Sequence, residues 1–346
     1  MTLRALHDVP APAKLNLFLH VVGRRDDGYH LLQSLFVLID WADRLHFERR
    51  EDGGLFRHDL RTDADTDAGI VLPADDLCLR AARALQGASG CTLGADIHLD
   101  KRLPAGAGMG GGSSDAASTL LALNRLWGLG WPRARLAALA LELGADVPFF
   151  VGGENAFVEG IGERLTPVTV PELTYAVIKP PAAIETRSIF THPLLRRDTA
   201  AVALPAILAG SSGGRDSGAS SDPGDTGSGV APACGPAHEA SASARAWATE
   251  GFGRNDLQLP AEDRCPEVAE AARWLQARFG NSRMTGSGSA VFARVSLNPG
   301  TAVPRDNHGA TPAPAAPPEL PADLPAGWVG RMCKGLARHP LVHWAG

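Results

Sequence analysis

A chain of 346 residues, 45% of them hydrophobic, is longer than the roughly 250–300 residues that one core usually serves, so two lobes with a cleft are expected. Thirty-three Lys and Arg against 38 Asp and Glu give a net charge of −5, and basic residues occur only as isolated pairs such as Arg24-Arg25 and Arg196-Arg197, which excludes a nucleic-acid binder's basic patch. The five cysteines (Cys78, Cys91, Cys234, Cys265, Cys333) form no C-x-x-C, and no apolar run approaches roughly 18 residues, so a disulfide framework, a zinc site and a membrane span are not expected. Lys14 and Asn16 break the apolar run that a secretory leader needs, and the chain reads as soluble and cytoplasmic.

Alternation over residues 14–22 predicts a strand, with Leu15, Leu17, Leu19 and Val21 on one face and Lys14, Asn16, Phe18 and His20 on the other. The second face reads either as the lining of a cleft or as a solvated edge. Residues 23–28 predict a turn, followed by Tyr29-His30 and an apolar run over 31–39. A helix is expected over 77–85 and a strand over 95–99.

The segment from Pro104 through Ala105, Gly106, Ala107, Gly108, Met109, Gly110, Gly111, Gly112, Ser113 and Ser114 to Asp115 then runs into a helical pattern over 114–126, with Ala117, Leu120, Leu121 and Leu123 inward. Residues lacking Cβ let backbone N–H groups turn toward a ligand, and a helix start adds unpaired donors and the positive end of a dipole. Phosphate is the natural guest. The segment is neither a dinucleotide fingerprint, since no acid follows at the ribose-binding distance, nor a Walker loop, since no lysine follows its last glycine. The alternative is a flexible turn, costly in backbone entropy unless something uses it.

An amphipathic helix over 133–143 ends at Gly144, and Asp146 follows between apolar residues and Pro148. That acid reads either as a chemical group or as the N-cap of a short helix. A strand is predicted over 174–178 and a further element over 184–190. Residues 209–245 hold Val230 as their one large aliphatic amid Gly, Ser, Ala, Pro and Asp, and are expected to be a disordered insertion. A helix over 266–279 ends at Gly280. The glycine-serine loop 282–290, a strand over 290–295, an extended Pro/Ala-rich stretch at 298–325 and a last strand near 328–333 complete the chain. Two glycine-serine loops in one chain suggest two sides of a phosphate site.

Pro12-Ala-Lys-Leu-Asn-Leu17, the loop from Pro104 to Ala116, and Thr285-Gly-Ser-Gly-Ser-Ala290 together resemble, in order, the three motifs of the GHMP kinases, the superfamily of galactokinase, homoserine kinase, mevalonate kinase and phosphomevalonate kinase. Arg25-Asp-Asp-Gly-Tyr-His30, Leu143-Gly-Ala-Asp-Val-Pro148 and Lys334-Gly-Leu-Ala-Arg-His-Pro-Leu341 are similar to those members that act on a cytidyl-bearing alcohol. The resemblance covers the chain except 209–245 and the Pro/Ala-rich stretch. It implies an α+β (α/β) fold of two lobes, a ribosomal-protein-S5-like N-terminal lobe over 1–170 and a ferredoxin-like C-terminal lobe over 171–346, with the active site in the cleft.

The resemblance further implies ATP with Mg²⁺ as donor system and 4-diphosphocytidyl-2-C-methyl-D-erythritol, of the non-mevalonate isoprenoid route, as the small-molecule acceptor, in a monomer or weak homodimer. It makes Asp146 the general base and Lys14 its cationic partner. It places the loop Pro104 to Ser114 and Lys101 at the nucleotide, with Ser114 toward a phosphate or its Mg²⁺; the metal ligands stay unassigned. Tyr29 and Phe190 would sandwich the cytosine while His30 bonds its edge, and Asn16 and Thr186 would hold the remainder near Gly286 and Ser287. One departure is Asp76, where similar enzymes carry Asn, which bears on the adenine side. The alternatives are a kinase of another alcohol, such as mevalonate or homoserine, and a non-catalytic nucleotide-binding regulator.

Overall fold

The computed structural model describes residues 3–60, 72–203, 253–295 and 319–345. The insertion expected at 209–245, the part of the Pro/Ala-rich stretch at 298–318, and Cys234 lie outside the described residues.

Strands β1 (Ala5–Arg24) and β2 (His30–Arg50) form a long antiparallel hairpin across the predicted turn. β3 (Leu55–Leu60), helix α1 (Leu77–Ser89) and β4 (Gly94–Asp100) follow, then α2 (Gly111–Leu126), α3 (Arg133–Leu143), α4 (Val147–Gly152) and the pair β5 (Ala156–Gly160) and β6 (Arg164–Pro167). The second half supplies β7 (Thr174–Lys179), α5 (Thr186–Phe190), α6 (Gln258–Arg264), α7 (Pro266–Phe279), β8 (Arg283–Met284), β9 (Val291–Val295) and β10 (Val329–Leu336).

β2 is the hub. It pairs with β1, β4 and β5, and with β10 through Gly335 opposite Ile39 and Leu336 opposite Leu38. β10 also pairs with β7, and β7 with β9, so one sheet is continuous across both halves. Three cores sit on it. One packs α1 to α4 on β2 and β4, one lies centrally around Leu15, Val37 and Tyr175, and one packs α6 and α7 on β7 and β9. The chain end returns to the first of these, where Leu341 and Ala345 are buried.

Alternation along β1 holds only as far as Asn16. Pairing with β2 shifts register between Pro12 and Lys14 and again between Asn16 and Leu19, and an extra residue in a strand turns the following side chains to the other face. Phe18 therefore joins the central core, and Leu19, not Phe18 or His20, follows Lys14 and Asn16 in the cleft lining. His20 faces a separate cavity with Arg196, Thr199 and Arg254.

Helix α2 begins at Gly111, three residues before the expected Ser114. Its cap is Gly110, with φ of 72° and no side-chain hydrogen bond, so a left-handed glycine rather than a hydroxyl starts the helix.

Candidate active site

Lys14 is 3% exposed, and its Nζ lies 3.7 Å from Asp146 Oδ2. The lysine is aimed by three contacts. Its backbone N–H donates to the Met109 carbonyl at 3.0 Å, its ammonium donates to Asn16 Oδ1 at 2.5 Å, and it stands 4.5 Å from the Phe36 ring centroid. Asn16 in turn donates to Ser34 Oγ at 2.9 Å, and its backbone N–H reaches Thr285 Oγ1 at 2.9 Å. Burial pushes the Lys14 ammonium below its ordinary value, while the Asp146 charge works against that loss.

Asp146 stands at the start of α4 in helical conformation, and its side chain makes no capping bond. Asp146 thus occupies the N-cap position without using its side chain to cap, and the carboxylate is left to the cleft. A cleft of about 190 Å³ is lined by Lys14, Asn16, Ser34, Gly108, Asp146 and Phe190, among others.

The two glycine loops form one backbone-on-backbone joint at this cleft. A Cβ on Gly108 would stand 2.3 Å from the Thr285 carbonyl oxygen, and one on Gly288 would stand 2.1 Å from the Gly108 nitrogen. Ser289 N–H donates to the Gly106 carbonyl at 3.3 Å and Ala290 N–H to the Ala107 carbonyl at 3.2 Å. Gly106, Gly108 and Gly110 all have φ between 64° and 76°. Ala107 and Met109 alternate with them and bury their side chains in the central core, while Ala105, Gly106 and Gly112 are exposed and Pro104, Gly111 and Ser113 half-buried. The first turn of α2 carries no side-chain cap, so its backbone donors are open to an anion.

Two expected nucleotide contacts are corrected. Ser114 is fully buried and its hydroxyl donates to the Pro12 carbonyl at 2.7 Å, because its place one turn into α2 faces the sheet. Lys101 does not point its ammonium at open space. It donates to Asp43 and, at 2.9 Å, to Asp115, and against the burial that would lower it these partners raise its ammonium above the ordinary value. Asp43 also accepts the backbone N–H groups of Arg102 at 2.6 Å and Leu103 at 2.7 Å, at the entry to the loop. Asp115 lies within the expected loop, yet burial first and the neighbouring Asp43 charge raise its carboxyl well above the usual range despite Lys101. Asp76 caps α1 by accepting the Leu79 N–H at 3.1 Å and pairs with Arg57 at 3.0 Å, an acid's task that explains its place where Asn was expected.

At the other end of the cleft, the His30 and Phe190 rings lie 5.1 Å apart. Tyr29 stands 61% exposed on the adjacent turn. Thr186 and Ser287 meet through their hydroxyls at 2.8 Å, and Asn255 fixes the second loop by donating to the Met284 and Gly286 carbonyls at 2.9 and 2.8 Å.

Sequence reasoning missed Arg197, whose Nε donates to His30 Nε2 at 3.2 Å. A guanidinium only donates, so His30 accepts at Nε2 and carries its proton on Nδ1. Burial, then the charges of Arg197 and Arg24, hold this imidazole below its ordinary value and hence neutral near pH 7. Ser34, Phe36 and Asn255 were missed as well; none lies in a recognisable motif.

The chain matches the family model for the GHMP kinases N terminal domain over residues 76–154 and that for GHMP kinases C terminal over residues 240–306. It is 55% identical over 346 residues, all of both chains, to a 4-diphosphocytidyl-2-C-methyl-D-erythritol kinase of Methylibium petroleiphilum, and 48% identical to one of Paracidovorax citrulli, covering 99% of each chain. A crystal structure of a 4-(cytidine 5'-diphospho)-2C-methyl-D-erythritol kinase superposes with a TM-score of 0.62 at 34% identity, over 84% of this chain and 90% of that one. A homoserine kinase of Cytophaga hutchinsonii, at 17% identity and a TM-score of 0.54, shares the fold. The chain therefore belongs to the 4-diphosphocytidyl-2-C-methyl-D-erythritol kinase family of the GHMP kinases.

Proposed function

We infer that the chain moves the γ-phosphoryl of ATP onto the 2-hydroxyl of 4-diphosphocytidyl-2-C-methyl-D-erythritol, with Asp146 as base and Lys14 as its cationic partner. The observation that carries this reading is the buried Lys14 set 3.7 Å from an uncapped Asp146, beside a loop whose backbone donors are free. The hydroxyl oxygen attacks the γ-phosphorus, the bond to the bridging oxygen of ADP breaks, and the hydroxyl proton passes to Asp146. The Lys14 ammonium offsets charge growing on the attacking oxygen. Much of the rate comes from positioning, since a phosphoryl group in flight asks little covalent help.

The triphosphate fits the cradle of Gly106, Gly108, Gly110 and the first turn of α2, where a Cβ on Gly106 would meet nothing within 4 Å. Mg²⁺ usually arrives with the nucleotide, neutralising phosphate charge while keeping several waters. Among the described residues no group of three His, Cys, Asp or Glu side chains converges to cage an ion, so Mg²⁺ would be held chiefly by the nucleotide's phosphates and by water, where it would neutralise phosphate charge. His30 with a proton on Nδ1, beside Phe190, supports recognition of an acceptor atom on a pyrimidine edge. Stacking tolerates any base, so the hydrogen bond supplies the choice.

ADP release measured in parallel with the cytidyl alcohol, mevalonate and homoserine tests the reading. Turnover with the cytidyl alcohol alone is expected; turnover confined to mevalonate or homoserine would overturn it.

A further inference from the structure

Residues 334–341 form a motif that the reaction described above does not use. The structure gives this end of the chain a place. After β10, His339 N–H donates to the Gly153 carbonyl at 2.8 Å, immediately behind α4, and Arg338 pairs with Glu154 at 3.5 Å. The tail then turns over the first core, burying Leu341 and Ala345.

The tail and the helices meet at Arg133, the first residue of α3. Its NH1 donates to the carbonyls of Val151 and Gly152, the last two residues of α4, and its NH2 donates to those of Val342 and, at 2.8 Å, Ala345. One guanidinium thus closes the open end of a helical hairpin and ties that end to the tail. The planar fork of an arginine suits this task, since its donors are fixed relative to one another. The tip of the same hairpin, residues 144–146, carries Asp146. Between tip and base, Phe150 of α4 abuts the glycine loop: a Cβ on Gly110 would stand 3.0 Å from its ring and 3.3 Å from Lys14 Cγ. Released from Arg133, α4 would slacken away from this contact and move Asp146 relative to Lys14, while Lys14 stays held by Met109 and Asn16 and the loop by its bonds to Ser289 and Ala290.

We propose that Arg133, held by the C-terminal tail, is the positioning residue that sets Asp146 against Lys14. This rests on the kinase reading above. Misplacing a reacting group by about 1 Å can cost about 10²-fold in rate while leaving ground-state binding nearly unchanged. The lysine and the glycine loop remain in place without Arg133, so the loss falls on kcat.

The test combines steady-state kinetics with hydrogen–deuterium exchange of the backbone amides at 144–153 in the ligand-free protein, for Arg133→Met and for a chain ending at Leu341. In both variants kcat should fall about 10–100-fold with KM for ATP and for the cytidyl alcohol within three-fold, and exchange at 144–153 should quicken at least ten-fold while β4 stays protected. Wild-type kcat with quickened exchange, or exchange left unchanged, overturns the proposal. Should Arg133→Met fail to fold, Arg133→Lys decides: it keeps the charge but not the fork, and a smaller fall in kcat with KM unmoved is expected, an unaltered kcat overturning the idea. Exchange is read without substrate, so a wild-type chain inactive on the cytidyl alcohol would strike the functional reading and leave this test standing.

Discussion

Replacing Gly108 and, separately, Gly106 by alanine tests whether the two glycine loops lock to each other. Both positions have left-handed backbone, with φ of 76° and 64°. An alanine there costs roughly 1–2 kcal/mol in either case. At Gly106 the new methyl meets nothing within 4 Å, so the cost ends there. At Gly108 it would lie 2.3 Å from the Thr285 oxygen and 2.7 Å from the Gly288 nitrogen, both backbone atoms, and the loops must separate. Separation strains or breaks the bonds from Ser289 N–H to the Gly106 carbonyl and from Ala290 N–H to the Ala107 carbonyl, each contributing about 1 kcal/mol. Gly108→Ala should therefore cost roughly 3–4 kcal/mol, against about 1–2 for Gly106→Ala. Urea unfolding of both variants beside the wild type measures the difference, and KM for ATP should rise more in Gly108→Ala. Equal destabilisation, within about 0.5 kcal/mol, would refute the locked joint.

Two further outcomes follow from the histidines. Arg197→Gln should raise KM for the cytidyl alcohol about 5–30-fold, the worth of one oriented hydrogen bond of roughly 1–2 kcal/mol, with kcat nearly unchanged. Without the Arg197 charge the His30 pKa climbs, so the acid-side rise in KM should begin at higher pH than in the wild type; an unmoved profile refutes the coupling of His30 to Arg197. Burial, with the Arg133 charge, pushes the His339 imidazole from 6.5 down to about 3. The unfolded chain then binds the extra proton first, so this group's share of stability is intact above pH 6.5 and is lost as pH falls toward 3. Between pH 7 and 4.5 the loss should be roughly 2–3 kcal/mol, and His339→Gln should remove that much of the pH slope in urea titrations; an unchanged slope contradicts the buried neutral imidazole.

Much of this site is local in the chain and therefore legible in it. Lys14 and Asn16 share a face because strand alternation is intact between them, and the glycine pattern marks a loop that needs positive φ. What escaped depends on partners far along the chain. His20 leaves the cleft because register with β2 shifts between Asn16 and Leu19, and a bulge is set by pairing rather than by its own residues. Lys101 looks like a free cation beside glycines until the fold delivers Asp43, 58 residues away, and the first turn of α2 delivers Asp115. Ser114 looks like a phosphate contact because it follows the glycines, but the helix starts at Gly111 and leaves Ser114 one turn inside it, its hydroxyl on the Pro12 carbonyl. Arg197 reaches His30 across 167 residues, and no local pattern foretells that.

The pairing of Lys14 with Asp146 is the centre of the mechanism, and Asp146→Asn addresses it most directly. Asparagine keeps the size of the side chain and leaves the glycine loop untouched, yet cannot take the hydroxyl proton. Turnover of the cytidyl alcohol should fall about 10²–10⁴-fold while ATP binding, read by calorimetry, stays within a few-fold of wild type. Wild-type turnover in that variant would contradict Asp146 as the base.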